Sequence, residues 1–353
     1  STSIFPYAVP YDDNGERIIY PGGDDGVKTV VDDWKYSEYE RRMLRVIGSM
    51  YAQLDLGEIY KPLKGLRYRL NFGPDFRYWR NGTFEDAQSV SRNGSPNYAS
   101  LENQHDFSWT LDNLIYYDKV IGKHSLGVTL LQSATKYHYE DASMAAVGIP
   151  LSSAKWNALN QQNISNLDSW SSNLIEKQLL SYMFRLNYDY SNKYLLTVSG
   201  RWDGASQLAD GNKWAFFPSV ALGWRLEQEE FLKNIHWINQ LKLRMGVGVT
   251  GNSAIDPYQT KGGIVSLFYP SGSNLVSGHV PTEMMVEDGD VAMANPSLTW
   301  EKTRQWNVGL DYAILNGRIS GVLDFYTSQT SDLLMAMTIP ALNGYQNTYS
   351  NVG

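Results

Sequence analysis

Few residues in this chain have the types and spacing for reaction chemistry. Gly246, Gly248 and Gly251 spell GxGxxG behind an apolar run, a pattern that holds a pyrophosphate when a helix N-terminus follows it. Here Asn252, Asp256, Pro257, Gly262 and Gly263 follow instead. Dinucleotide binding is therefore disfavoured, and Gly246 and Gly248 read as strand positions where another backbone can approach. His105, His124, His138, His236 and His279 are scattered and match neither HExxH nor a zinc spacing, so they read as ordinary polar or interface histidines. Glu229 and Glu230 fall in a charged turn, where solvation is the default over acid and base work. Asp12, Asp13 and Glu16, with Asp24 and Asp25, could hold a hard cation such as Ca²⁺. Their order lacks the alternation of an EF-hand, so a solvated loop is favoured. With no Cys there is no thiol nucleophile or thiolate metal site. The expectation is a protein with no catalytic residue, no resident cofactor and no metal beyond that loop.

What the sequence does specify is a set of elements. Between Leu179 and Asp203, Tyr182, Phe184, Leu186, Tyr188 and Tyr190 alternate with Ser181, Met183, Arg185, Asn187 and Asp189. After Ser191, Asn192 and Lys193, the alternation restarts with Tyr194, Leu196, Val198, Gly200 and Trp202. A period of two means antiparallel strands. Runs about twice the usual ~5 to 6 residues, with aromatics near the ends of the apolar face, predict a transmembrane β-hairpin with lipid on one side and a watery lumen on the other. The 24 Tyr and 11 Trp among 353 residues suit membrane interfaces, so outer-membrane lipid is an expected contact. No apolar run approaches the ~20 residues of a spanning helix. A net charge of −7 argues against nucleic acid as partner.

The same rhythm predicts about ten strands. Residues 1–42 read as an outer loop and 43–353 as barrel strands and loops. Short turns fall at Lys61–Gly65, Lys119–Lys123, Ser191–Lys193 and Leu315–Gly317, and long loops at Asn81–Gln104, Glu140–Lys177 and Gly251–Leu298. A short helix is expected within Ser152–Asn163, and helical spacing joins Phe231, Ile235 and Ile238. Alternating short and long connections are those of a barrel with brief periplasmic turns and large outer loops. The fold class is all-β, an antiparallel transmembrane barrel.

Several segments resemble one family. Arg201-Trp202-Asp203-Gly204-Ala205-Ser206, Phe216-Phe217-Pro218-Ser219-Val220, Gly248-Val249-Thr250-Gly251-Asn252, Asn295-Pro296-Ser297-Leu298-Thr299-Trp300-Glu301 and Asp332-Leu333-Leu334 are similar, in order and spacing, to barrel segments of SusC/RagA-type TonB-dependent outer-membrane transporters. The turn Lys61-Pro62-Leu63-Lys64-Gly65-Leu66 matches as well. Asp203-Gly204 and Asn295-Pro296 read as turn signals, and Phe216 and Trp300 as girdle residues. The resemblance implies a 22-stranded barrel closed by a plug, a SusD-like surface lipoprotein as lid, and import of oligosaccharides or peptides driven through TonB. No plug or TonB-contacting sequence is legible, so the chain is expected to be an internal piece of such a transporter. A passive porin and a soluble glycan-binding module are the alternatives.

Sugars present flat C–H faces and hydroxyl rims, which call for aromatic platforms beside polar groups. Trp156, Trp170, Trp214, Tyr98 and Tyr269 fall in predicted outer loops, and Arg201 with Asp203 ends a lumen-facing row. These seven are the candidate substrate contacts, with packing or interfacial anchoring as the competing role of each aromatic.

Overall fold

Tight turns set the register of the whole sheet. Ser191 and Asn192 (φ 56° and 57°) close one hairpin, and Leu315, Asn316 and Gly317 (φ 55°, 57° and 78°) close another, left-handed conformations that Asn and Gly tolerate and that match the twist of the flanking strands. The computed structural model describes residues 8–23, 27–161, 167–261, 264–272, 274–281, 292–340, 342 and 347–353. Its strands are β1 (Ser37–Ile47), β2 (Met50–Asp55), β3 (Leu66–Glu85), β4 (Tyr98–Ile121), β5 (His124–Val147), β6 (Leu167–Tyr190), β7 (Tyr194–Ala205), β8 (Trp214–Arg225), β9 (Ile238–Asn252), β10 (Ile264–Ser271), β11 (Asn274–Pro281), β12 (Ala292–Met293), β13 (Glu301–Ile314), β14 (Ile319–Ser331), β15 (Leu333–Thr338) and β16 (Asn347–Val352). An 11-stranded sheet runs in the order β1-β3-β4-β5-β6-β7-β8-β9-β13-β14, with β2 also on β3. A hairpin β10-β11 and a small sheet β12-β16-β15 stand beside it in the topology.

The expected strands are present, and the differences have one main cause. The anticipated loop Asn81–Gln104 is strand at both ends, β3 continuing to Glu85 and β4 starting at Tyr98; the same holds for Glu140–Lys177, where β5 reaches Val147 and β6 starts at Leu167. The residues these ends bury are mostly small, Ala99 and Ala146 among them, so the apolar alternation that marks a half-buried strand fades although the ladder continues. Likewise β1 begins at Ser37 and not at residue 43. It breaks at Gly48, whose N–H donates to the Pro74 carbonyl (2.9 Å), so β1 and β2 are two strands on one partner, β3. The loop Gly251–Leu298 contains the hairpin β10-β11. Ser152–Asn157 forms 3-10 turns rather than an α-helix. Phe231 and Ile235 lie in turns, and Ile238 opens β9.

The chain divides into two units, residues 1–48, 74–108 and 137–175 in one and residues 49–73, 109–136 and 176–353 in the other. In the first, Phe84, Ala99, Ala146, Ile149, Trp156 and Leu159 form the core. In the second, Ala205, Leu208, Ala209, Phe217, Ile255, Leu298 and Trp300 do. Trp300 is thus a core residue and not a girdle residue: it is 4% exposed, meets Phe217 edge-on at 5.3 Å and donates Nε1–H to the Lys213 carbonyl at 2.8 Å. Asp203-Gly204 lies inside β7 and makes no turn; the missing side chain at Gly204 seats the Trp214 indole. Asn295 does make a turn, its Oδ1 accepting from the Ser297 amide at 2.9 Å.

Candidate functional site

Strand alternation gives the second unit's part of the sheet two chemically opposite faces. On one, Tyr182 stacks on Trp214 (6.1 Å between ring centroids), Trp202 tilts on Phe216 (5.5 Å), and Tyr194 stacks on both Tyr190 and Trp224. Between these rows runs an apolar groove of about 650 Å³ that includes Ile115, Leu130, Phe184, Val198 and Val220. Two aromatic rows bounding an aliphatic band are the surface a bilayer selects.

The other face carries hydrogen-bonded charge. Arg201 donates through Nε to Asp203 Oδ1 (2.7 Å) and through Nη2 to Ser181 Oγ (2.8 Å), and Ser181 is 1% exposed. Thr197 Oγ1 donates to Asn187 Oδ1 (3.0 Å) and Ser133 Oγ to Asp112 Oδ1 (2.6 Å). Arg69 lies 4.2 Å over the Tyr51 ring. Arg244 donates to Asp311 (2.9 Å) and to Asp324 (3.0 Å), tying β9, β13 and β14 together. Arg201 and Arg244 are each held by opposite charges, as partly buried ions require. The polar side of the Leu179–Asp203 hairpin is therefore this face, as its period of two requires.

Within the same face, Gly246 and Gly248 sit on β9 opposite Ala221 and Ser219 of β8. β9 runs on through Gly251, where a side chain would overlap Phe217 and Trp300. No helix follows, so the glycine triplet has no anion-binding geometry. A Cβ at Gly246 would meet nothing nearer than 3.8 Å: the wall here is low and smooth.

In the first unit the odd-numbered residues of β3 form a polar row of their own. Arg45 pairs with Asp75 (2.7 Å), Arg77 approaches Asp106 (3.6 Å), and Asn81 Nδ2 donates to Glu102 (2.9 Å). Arg77 Nε, Trp79 Nε1 and Asn81 Oδ1 are buried without a hydrogen-bond partner among the described residues. They occupy every second position, so two donors and an acceptor line one side of one strand. Buried polar atoms are nearly always paired, and each exception calls for a reason.

The seven candidate contacts fall in different settings. In the second unit Arg201 and Asp203 lie on the charged face and Trp214 on the aromatic face. In the first, Tyr98 lies under the Arg92 guanidinium at 5.7 Å with the parity of Asp106 on β4, Trp156 is 4% exposed and packed over Gly82, and Trp170 is 72% exposed. Tyr269 pairs with Val276 in β10-β11, and its side chain lies outside the described residues. Trp79 and Asn81 escape the sequence reading because a loop is expected from Asn81 to Gln104; carrying the alternation of β3 to its end at Glu85 brings them out.

Of the loop carboxylates, Asp12 Oδ1 accepts from the amides of Asn14 (2.9 Å) and Glu16 (2.8 Å), closing a turn, while Asp24 and Asp25 lie outside the described residues. Glu229, next to the turn ends of β7 and β8, accepts from Tyr194 (2.7 Å), Trp224 (2.9 Å) and Lys193 (3.1 Å). These donors, Tyr194 foremost, hold its carboxyl down at about 2.

The sequence matches the family described as "TonB dependent receptor-like, beta-barrel" over residues 2–353. It is 34% identical to TonB-dependent receptor P26 of Formosa agariphila over 315 residues, 87% of this chain and 30% of the relative. It is 29% identical to TonB-dependent receptor SusC of Bacteroides thetaiotaomicron over 330 residues, 87% of this chain and 31% of that one. The chain thus spans about a third of the length of these relatives. In fold it is similar to the structure titled "Structure of the RagAB peptide transporter", with a TM-score of 0.83 at 24% identity, covering 98% of this chain and 36% of that one. An antiparallel sheet with an aromatic, lipid-suited face and an ion-paired opposite face, matched along its length, places this chain in the β-barrel of the TonB-dependent receptors, an outer-membrane family of transporters and not of enzymes.

Proposed function

We propose that this chain is part of the wall of an active importer of oligosaccharides or peptides. Its charged face looks into the lumen, TonB acts through a plug, and a SusD-like surface lipoprotein serves as lid. The observation that carries the substrate class is the row Arg77, Trp79 and Asn81, in which Arg77 Nε stands 3.6 Å from Asp106 while Trp79 Nε1 and Asn81 Oδ1 have no hydrogen-bond partner among the described residues, a donor and an acceptor at alternate positions. Hydroxyls and peptide amides, which donate and accept at once, complement such a row; a small inorganic ion would leave the acceptor unmatched. Arg201 and Asp203 are the polar candidates of the second unit, and Tyr98 is the aromatic candidate of the first.

The experiment is uptake of labelled oligosaccharides and of labelled peptides by cells carrying the intact parent protein, with and without an uncoupler. Work-driven import stops when the proton gradient collapses, whereas uptake that persists makes the protein a passive pore. Asn81→Leu and Trp79→Phe remove one hydrogen-bonding group each, and each should lower uptake of the true substrate class about 5- to 30-fold, the equivalent of one hydrogen bond of ~1 to 2 kcal/mol. Equal uptake of both classes by the variants would remove the row from the substrate path.

A further inference from the structure

Two of the scattered histidines meet across the β4-β5 hairpin. The hydrogen bonds Thr110–Thr135 (3.2 Å), Asn113–Gln132 (2.6 Å) and Ser133–Asp112 (2.6 Å) show that partners on these strands sum to 245, so His105 stands directly opposite Glu140, and His138 lies two residues from Glu140 on the same side of β5. The Glu140 carboxylate reaches both rings, Oε2 at 3.3 Å from His105 Nε2 and Oε1 at 3.0 Å from His138 Nε2. The ring centroids are 6.3 Å apart. One ligand atom from each of the three residues lies within 4.8 Å of the other two.

From this geometry we infer that His105, His138 and Glu140 bind a divalent transition-metal ion of the Zn²⁺ class, which clasps β4 to β5. A tetrahedral ion with Zn–N and Zn–O distances of about 2.0 to 2.2 Å holds its ligand atoms about 3.3 to 3.5 Å apart. Each histidine already lies that close to one oxygen of the Glu140 carboxylate, His105 to Oε2 and His138 to Oε1, and with one ligand atom per residue all three lie within 4.8 Å, a spread that a rotation of the carboxylate and rings closes. Two imidazoles and one carboxylate are the donor set of Zn²⁺, Ni²⁺ or Cu²⁺ and a poor one for Ca²⁺ or Mg²⁺, which take oxygen ligands. All three side chains are half-buried, open enough for an ion to enter and to keep a water as fourth ligand. Lys136, the nearest cation along β5, is held by Glu176 at 2.8 Å, which offsets its repulsion. By alternation His105 has the parity opposite to Asp106, which meets Arg77 of the polar row, so the cluster lies on the other side of β4. The ion is therefore a structural clasp, separate from the charged row assigned to the substrate.

The test uses the intact parent protein, purified in detergent through a tag without histidines and stripped with chelator. Titration with Co²⁺ should give the intense visible bands of a four-coordinate ion, displaced by Zn²⁺ at one equivalent, and Zn²⁺ should raise the unfolding temperature. His105→Ala, His138→Ala and Glu140→Gln should each weaken binding at least about tenfold, since even outer-shell changes at metal sites cost 10- to 100-fold, and should abolish the thermal shift. His124→Ala, a histidine outside the cluster, should leave both unchanged. Heat-modifiable migration on gels reports whether each variant is folded. Should a folded double variant His105→Ala/His138→Ala bind Zn²⁺ as the parent does, or the parent give only weak six-coordinate Co²⁺ bands, the inference is overturned.

Discussion

Gly82 and Trp156 illustrate how a residue that invites a ligand can be committed to packing. The Trp156 indole occupies the space above Gly82 where a Cβ would stand, and the ring completes the cluster of Phe84, Ala99, Ala146 and Ile149. Gly82→Ala should therefore expel the indole, at a cost of about 1 to 3 kcal/mol for overpacking, and Trp156→Ala should cost about 3 to 5 kcal/mol. Both changes should release residues 148–161 to limited proteolysis in the intact protein; unchanged cleavage rates would show that the indole does not anchor that segment. Sequence alone could not separate Trp156 from a sugar platform, because a Trp among Ser, Ala and Asn has the same local surroundings in both roles. Arg201 and Asp203 were legible, since alternation over a long hairpin fixes their side whatever the rest of the chain does. His105 and Glu140 were legible only in principle: once the turn at Gly122 is placed, their numbers sum to the register constant, but residue spacing along the chain carries no sign of it.

At the level of elements, the hairpin β6-β7 allows a direct check of sidedness. Leu186 faces Val198 and Asn187 faces Thr197 across the ladder. Cys placed at Arg185, Asn187 or Arg201 of the parent should react with aqueous thiol reagents, and Cys at Phe184, Leu186 or Val198 should react poorly; the reverse pattern would invert the faces. A second check concerns the turn ends of β7 and β8, where Glu229 serves three donors. A carboxyl held at about 2 against an ordinary 4.5 stabilises the folded form above its unfolded value and loses that contribution as the pH falls through the folded one. Acid should therefore loosen this end between about pH 4.5 and about pH 2, seen as faster amide exchange at Lys193 and Tyr194. Glu229→Gln should remove that pH step; its persistence in the variant would assign the step to another group. Strands inside the bilayer were readable because lipid and water impose opposite demands on neighbouring residues. The ends that carry Ala99 and Ala146 have the look of loops in sequence, because small buried residues among polar ones give no apolar alternation.

For the molecule as a whole, fold and family were legible from the rhythm of the strands and from segments recurring in order, whereas the hairpin β10-β11, with Pro270 and Gly278 among its residues, carried the marks of a loop. The lengths of the longest strands have a consequence for how the protein is made. β4, β5 and β6 have 24 residues each, yet about 9 to 11 residues of tilted strand cross the hydrocarbon. The short turn at Gly122–Lys123 remains on the side from which the β4-β5 hairpin arrives, so its far end, with His105 and Glu140, must travel through the membrane before the apolar stretches can come to rest in it. A lone strand cannot make that passage, because every bare N–H and C=O would be stripped of water without a partner. Ladder formation between β4 and β5 should therefore precede insertion, the hairpin entering the outer membrane already zipped, far end first.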